Sequence, residues 1–187
     1  MGERTVNLRR GLAAALPGLL LLAGCASLPG LPGGGSNQGG QGSQPSPATY
    51  TDSRYHYRID APGPMSAKPN GAAAYAFEDE RLEVTVVEGA KAADPAALAE
   101  MDAKTLSSST PDFRLLAAPI AVTIGGQRMI KLIFDSTVTG NRPLKVTTAR
   151  YYVPKSDALL AVVTYRDAST EFDSSEADSI LSTFKWL

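Results

Sequence analysis

LLAVVTYRDASTEFDSSEADSILSTFKW, residues 159–186, sets a strand signal directly against a helix signal. Leu159, Leu160, Ala161, Val162 and Val163 are apolar at every position, where a half-buried strand would alternate. A strand of that kind has both faces covered, so it belongs in the middle of a sheet. Further on, Asp173 stands where a helix N-cap belongs and Glu176 follows three residues later, the spacing of a capping box. Phe172 and Ala177 take the positions of a hydrophobic staple. Ala177, Ile180, Leu181 and Phe184 recur at i, i+3, i+4 and i+7, the buried stripe of an amphipathic helix. Glu171, Asp173, Glu176 and Asp178 gather at the first turn, where the helix dipole favours negative charge. No Asp-x-Asp-x-Asp-Gly spacing turns them into a calcium loop.

Upstream of this unit, strand signals dominate. Arg54–Asp60 alternates, with Tyr55, Tyr57 and Ile59 on one face and Arg54, His56, Arg58 and Asp60 on the other. The prolines of Ala61–Met65 stop it. Ala73–Glu78 and Leu82–Glu88 read as a hairpin that turns at Asp79-Glu80. Asp94 then caps a helix that Pro95 opens, with Leu98, Met101 and Thr105 on its packed side and the loop Ser107–Phe113 at its end. Ile120, Val122 and Ile124 share a strand face before the Gly125-Gly126 turn. Ile130, Leu132, Phe134 and Val138 line the next strand. The chain turns at Gly140-Asn141, runs extended over Leu144–Val153, turns again at Pro154–Asp157 and enters the strand Ala158–Tyr165. The order predicted is three strands, a helix, four strands and a helix, with connections short enough to pair neighbours antiparallel. The fold class is α+β: an antiparallel sheet of six to seven strands flanked by two main helices. No repeat at a fixed period is present.

The first fifty residues obey a different logic. Arg4, Arg9 and Arg10 precede the apolar run Leu12–Ala23, which is too short for a membrane span of ~20 residues but suits a secretory signal. It ends at Leu22-Ala23-Gly24-Cys25, and Cys25 is the single cysteine of the chain. These four residues resemble a bacterial lipobox. The resemblance implies cleavage between Gly24 and Cys25, a diacylglycerol thioether on Cys25 and acylation of the new amino end. Two or three acyl chains anchor durably where one binds only marginally. The protein is therefore expected at the cell membrane or outer membrane, held by lipid, with its domain outside the cytoplasm. Residues 25–50 are rich in Gly, Ser, Gln and Pro and carry no charge before the domain begins. Such a stretch cannot offset its ordering entropy and reads as a tether of ~25–30 Å reach. Residues 1–24 are thus the signal peptide, 25–50 the lipidated cysteine and tether, and 51–187 one domain.

Composition narrows function mainly by exclusion. Lys and Arg number 18 against 19 Asp and Glu, so no basic stripe points to nucleic acid. One histidine and one cysteine leave no histidine- or thiolate-ligated metal site. Strand parity puts His56 among charged neighbours, where it reads as a solvated residue without the partners of a general base. Serines fall outside G-x-S-x-G and S-x-x-K contexts, and Gly125-Gly126 opens a strand instead of a phosphate-cradling helix. Glu78, Asp79 and Glu80 sit at a hairpin tip, where carboxylates stay ordinary. The expectation is no catalytic residue, no cofactor and no metal. The seven tyrosines are recognition candidates in principle, but most belong in the packed sheet. Arg142 is an exposed charge at a turn. Three roles remain: a binding or assembly domain for an envelope protein partner, a carrier with an apolar cavity between sheet and helix, and a hydrolase of envelope polymers with two converging acids.

The opening strand with its proline break, YHYRIDAPGPM at Tyr55–Met65, and the closing unit with its I-L-S-T-F ending at Ile180–Phe184 resemble the PsbP/DcrB-like superfamily, which includes LpqN-type lipoproteins. The resemblance covers most of residues 55–187 and rests on hydrophobic pattern. It implies a PsbP-like α/β/α sandwich and a non-catalytic module that docks on partners or aids assembly. Only two clear helices are legible for covering two sheet faces.

Overall fold

The computed structural model describes residues 46–77, 80–139, 142–168 and 172–187, all within the second of the two units into which the chain divides, Gly42–Leu187. In chain order the elements are β1 (Ala48–Asp52), β2 (Tyr57–Ala61), β3 (Ser66–Ala67), β4 (Ala73–Phe77) and β5 (Glu80–Glu88), followed by a 3-10 turn (Ala90–Ala92) and α1 (Pro95–Ser109). Then come β6 (Arg114–Ile124), β7 (Gln127–Val138), β8 (Leu144–Ser156), β9 (Leu159–Asp167), α2 (Ser174–Thr183) and β10 (Lys185–Trp186). Seven strands form one sheet in the order β3-β4-β5-β9-β8-β7-β6, and β1-β2-β10 form a small second sheet. All pairings described are antiparallel. The uniformly apolar strand β9 is the fourth of seven, in the centre.

Each face of the large sheet has its own core. On one side lie α2 and the small sheet, packed through Tyr57, Ile59, Met129, Tyr151, Val163, Leu181 and Phe184. On the other lies α1, packed through Leu98, Ala99, Leu132, Phe134, Tyr152 and Leu160. The second helix thus shares its face with three short strands, and that is how two helices suffice. Tyr57 stacks on Phe184 at 5.4 Å between ring centroids, and Trp186 meets Phe184 edge-on at 5.3 Å. Gly125, at φ +56°, lets the β6–β7 turn pass under the end of α2. A Cβ there would lie 2.7 Å from the Ser182 carbonyl oxygen.

Several local expectations need correction. β2 starts at Tyr57 and not at Arg54, because Asp52 Oδ1 accepts from the Arg54 and Tyr55 amides (2.9 and 2.8 Å) and closes a turn. His56 in that turn takes φ 55°. β1 pairs with β2 from Ala48 onward, so residues 48–50, tether-like in composition, are strand. The packed stripe of α1 is Leu98, Ala99, Ala103 and Leu106; Met101 is 49% exposed and Thr105 is exposed. Ser107–Ser109 remain helical, their hydroxyls donating back to the carbonyls of Lys104 and Thr105.

In β6 the strand begins at Arg114, before Pro119. An edge strand tolerates a missing N–H, and register shifts between Leu115 and Ile120 change the parity. From Ile120 the register is continuous, so Ile120 shares the face of Val122 and Ile124; those two pack inward, while Ile120 itself is 51% exposed. Val138, at the end of β7, is exposed. β8 continues through Pro154 to Ser156 by a register shift, and the turn contracts to Asp157-Ala158. The hairpin tip at Glu78-Asp79, the Gly140-Asn141 turn and Glu171 lie outside the described residues.

Asp178 does more than complement the α2 dipole. It accepts from Lys131 Nζ at 2.7 and 2.9 Å and from the Tyr151 hydroxyl at 2.6 Å. Lys131 is only 6% exposed, so its charge depends on this carboxylate. Removing one partner of a fully buried pair costs ~3–5 kcal/mol, whereas replacing both with apolar groups is often neutral. Asp178 is partly exposed, so Asp178→Ala is expected to lower unfolding free energy by ~2–3 kcal/mol in chemical denaturation. Lys131→Met with Asp178→Leu is expected to recover most of that loss.

Candidate functional site

α1 lies over β6, β7 and β8, and the same face of the sheet continues beyond it along β9 and β5. Strand parity decides what lines it. On β9, Ala161, Val163 and Tyr165 point to the α2 side, leaving Val162, Thr164 and Arg166 on the α1 side. On β8, Tyr151 and Ala149 point to the α2 side, leaving Thr148, Arg150 and Tyr152. β5 contributes Glu83, Thr85 and Val87. With Asp102 and Leu106 of α1, all of these α1-side residues but Tyr152 line a groove of two lobes, of about 250 and 240 Å³, that share Arg150 and Arg166; the first lobe is also bounded by Pro111, Phe134 and Ser136.

The groove holds polar groups whose bonding is incomplete. Asp102 Oδ2 accepts from Arg150 Nη1 at 3.0 Å and from the Tyr152 hydroxyl at 2.8 Å. Arg150 Nε is buried without a partner, as is Thr148 Oγ1. The Arg166 side chain makes no ion pair or hydrogen bond among the described residues. Burial pushes its guanidinium below the usual arginine range; neighbouring Arg150 and Arg81 push the same way, and Glu83 opposes them. A buried polar atom without a partner is uncommon and calls for an explanation.

Two larger clefts do not share this feature. One, of about 570 Å³, is bounded by Pro47, Asp60, Glu176 and Thr183. There Asp60 accepts from Thr49 Oγ1 at 2.6 Å, and its amide donates to Thr183 Oγ1 at 2.9 Å. The other, of about 500 Å³, contains the Arg114–Asp135 ion pair and the Thr137 Oγ1 to Asp112 bond of 2.7 Å. Burial alone would raise the Asp135 carboxyl, but hydrogen bonds from Arg114 and Thr147 hold it below the usual range. The second cleft is bordered by Arg114 of the edge strand β6, which exposes Leu115, Leu116 and Ile120. Its register shifts and Pro119 break up the row of amides that an incoming strand would need.

The sequence-based candidates fall elsewhere. Leu22, Ala23, Gly24 and Cys25 lie outside the described residues. His56 is an exposed turn residue, and Arg142 is exposed beside its turn. Of the seven tyrosines, Tyr57, Tyr75, Tyr151, Tyr152 and Tyr165 are buried, and Tyr50 and Tyr55 are half-buried against the core. Among the described residues no group of three or more His, Cys, Asp or Glu side chains gathers as a metal site, and no helix is long and apolar enough to cross a membrane. Sequence reading missed Thr148, Arg150, Thr164 and Arg166. The available signal was the parity of β8 and β9, which puts all four on one face of neighbouring strands.

No family model matches the chain, and no curated protein matches it. Among solved structures it is similar to the solution structure of cyanobacterial PsbP (CyanoP) from Synechocystis, at 16% identity and a TM-score of 0.54, covering 79% of this chain and 96% of that one. A crystal structure from Bacteroides thetaiotaomicron gives 9% identity and a TM-score of 0.50, covering 74% of this chain and 48% of that one. LpqN, involved in cell envelope biogenesis of Mycobacterium tuberculosis, gives 19% identity and covers 76% of this chain and 81% of that one. Its TM-score is 0.36, too low to weigh on the fold. The first two likenesses establish a PsbP-like α+β fold, as the sequence pattern predicted, and they concern fold alone.

The buried tyrosines make the domain sensitive to alkali. Burial raises the Tyr151 hydroxyl above its ordinary range, with the bond to Asp178 adding to it, and burial raises Tyr57 and Tyr152 similarly. In the unfolded chain these groups release their protons near pH ~10. Above that pH the unfolded state binds fewer protons than the folded one, so unfolding free energy falls as pH rises. Below it the contribution is fully present. In a tyrosinate absorbance titration, Tyr57, Tyr151 and Tyr152 are expected to ionise only as the fold is lost. Simultaneous ionisation of all of them with the fold intact would contradict this packing.

Proposed function

We propose that this chain is a lipid-anchored cell-envelope protein whose PsbP-like domain binds a partner without transforming it, using the groove beside α1. The observation that carries the reading is the groove itself: an open, polar recess whose Arg150 and Thr148 atoms lack partners within the chain. Groups left in that state gain most from an outside ligand. Of the carboxylates there, Asp102 is engaged by Arg150 and Tyr152, and neither it nor Glu83 hydrogen-bonds the Thr148 hydroxyl as a general base would. The apolar-carrier alternative has less support, since the spaces between the sheet and both helices are filled by core side chains such as Tyr151, Met129, Leu132 and Phe134.

The anchoring half of the proposal rests on Arg4, Arg9 and Arg10, the apolar run to Ala23 and the lipobox-like Leu22-Ala23-Gly24-Cys25. In this reading residues 1–24 are removed, Cys25 carries the lipid, and the Gly/Ser/Gln/Pro segment leads to β1. The domain then works outside the cytoplasm at the cell membrane or outer membrane.

Each half has its own test. Cys25→Ser is expected to abolish labelling by a fatty-acid analogue and to shift the protein to an uncleaved precursor or a released form. Unchanged mass and unchanged membrane retention would refute the anchor. For binding, a photo-crosslinker at Thr85 on the groove rim is expected to capture one envelope protein reproducibly. The same crosslinker at Lys185, on the opposite layer, is expected not to capture it. Equal capture from both positions, or none from Thr85, would remove the groove from the binding surface.

A further inference from the structure

The groove's chemistry restricts what it can hold. Thr148 pairs with Arg166, and Arg150 with Thr164, in adjacent rows of β8 and β9. Two guanidiniums and two hydroxyls therefore occupy four neighbouring positions on one sheet face. Arg81 stands opposite Arg166 on the β5 side, and Glu83 stands opposite Thr164. Arg81 makes interactions of its own, so the groove itself sets two guanidiniums, Arg150 and Arg166, against two carboxylates, Glu83 and Asp102, and Asp102 is already engaged by Arg150 and Tyr152.

Its unpartnered nitrogens can only donate. Arg150 Nε is a donor with nothing to donate to, and Arg166 brings a fork of N–H donors with no acceptor among the described residues. Thr148, at 1% exposure, carries a hydroxyl with no partner and can donate as well. A water molecule would satisfy one such donor but would not offer the Arg166 fork a pair of acceptor oxygens. Planar guanidinium forks match the paired oxygens of carboxylate and phosphate. Each lobe is smaller than the ~300–1,000 Å³ of pockets that enclose drug-sized ligands, so the site suits a group of few atoms.

We propose that this groove is an oxyanion-binding site, in which a carboxylate or phosphate group accepts hydrogen bonds from Arg166, Arg150 and the Thr148 hydroxyl. Asp102 is a positioning residue, holding Arg150 through one nitrogen so that the rest of the guanidinium faces the recess. The inference rests on the groove as the binding surface and names the chemistry it recognises. It is independent of the lipid on Cys25.

The test is a titration of the full chain with sodium acetate, sodium phosphate and phosphatidylglycerol vesicles, against sodium chloride at matched ionic strength. The readout is the side-chain NMR signals of Arg150 and Arg166. Saturable shifts with acetate or phosphate, absent with chloride, are expected and mark a soluble ligand. Shifts with vesicles alone would support the site and assign the oxyanion to a lipid headgroup. Arg166→Gln is expected to weaken binding about tenfold or more, the loss of a charge-assisted hydrogen bond. Arg166→Lys should fall between, keeping the charge without the fork. Thermal midpoints should stay close to the parent for both variants, since Arg166 is half-buried on an open face. Shifts that track ionic strength in every arm, or that persist unchanged in Arg166→Gln, would overturn the proposal. If crosslinking from Thr85 survives that result, the binding surface stands and only its oxyanion chemistry falls.

Discussion

Two adjacent tyrosines on one strand tie the three layers together. Tyr151 and Tyr152 point to opposite faces of β8, and each hydroxyl donates to an aspartate on a different helix, Asp178 of α2 and Asp102 of α1. Each aspartate also accepts from a cation of the sheet, Lys131 in one case and Arg150 in the other. Both sheet faces must be covered because β9 is apolar on both sides, and apolar packing alone does not fix the rotation of a helix. A hydrogen-bonded aspartate does, since a turned helix would strand a buried partner. The side chains that hold α1 in place also set Arg150 at the wall of the groove.

The groove follows from the size of α1. One helix of fifteen residues spans about three strands of the large sheet, and it lies over β6, β7 and β8. β9 and β5 extend beyond it. Toward the helix their face is apolar, with Leu160, Val162 and Val87. Farther along it becomes Thr164, Arg166 and Glu83. The change from apolar to polar along one face of two strands marks where the helix stops covering the sheet. On the α2 face β9 stays apolar from Ala161 through Tyr165, where Phe172 packs against it.

How much of this could be read in advance depends on whether a signal was local. The central position of β9 was legible because Leu159–Val163 leaves no polar face. α2 was legible because Asp173, Ala177, Ile180, Leu181 and Phe184 all agree. The two-residue strands β3 and β10 were not, since Ser66-Ala67 and Lys185-Trp186 carry no periodicity and exist only through pairing. β1 was masked by the composition of the segment before it. In β6 the register shifts broke the alternation that parity reasoning needs. Asp178 and Asp102 looked like ordinary helix acids, because their partners Lys131 and Arg150 are 47 and 48 residues away in the chain. The recess was hidden for the same reason: its residues meet only when β8 and β9 pair.

The central placement of β9 also governs how the domain can be assembled in time. The strands before α1 and those after it make two separate half-sheets, β3-β4-β5 and β6-β7-β8, and only β9 joins them. A chain emerging from its N-terminus therefore passes through a stage with two unpaired inner edges, both built to accept the same missing strand. Such non-local closure is slow and exposes edges to foreign pairing. Because β9 follows β8 through the two-residue turn Asp157-Ala158, that edge is filled at once, and it is the β5 edge that must wait for the whole second half of the sheet.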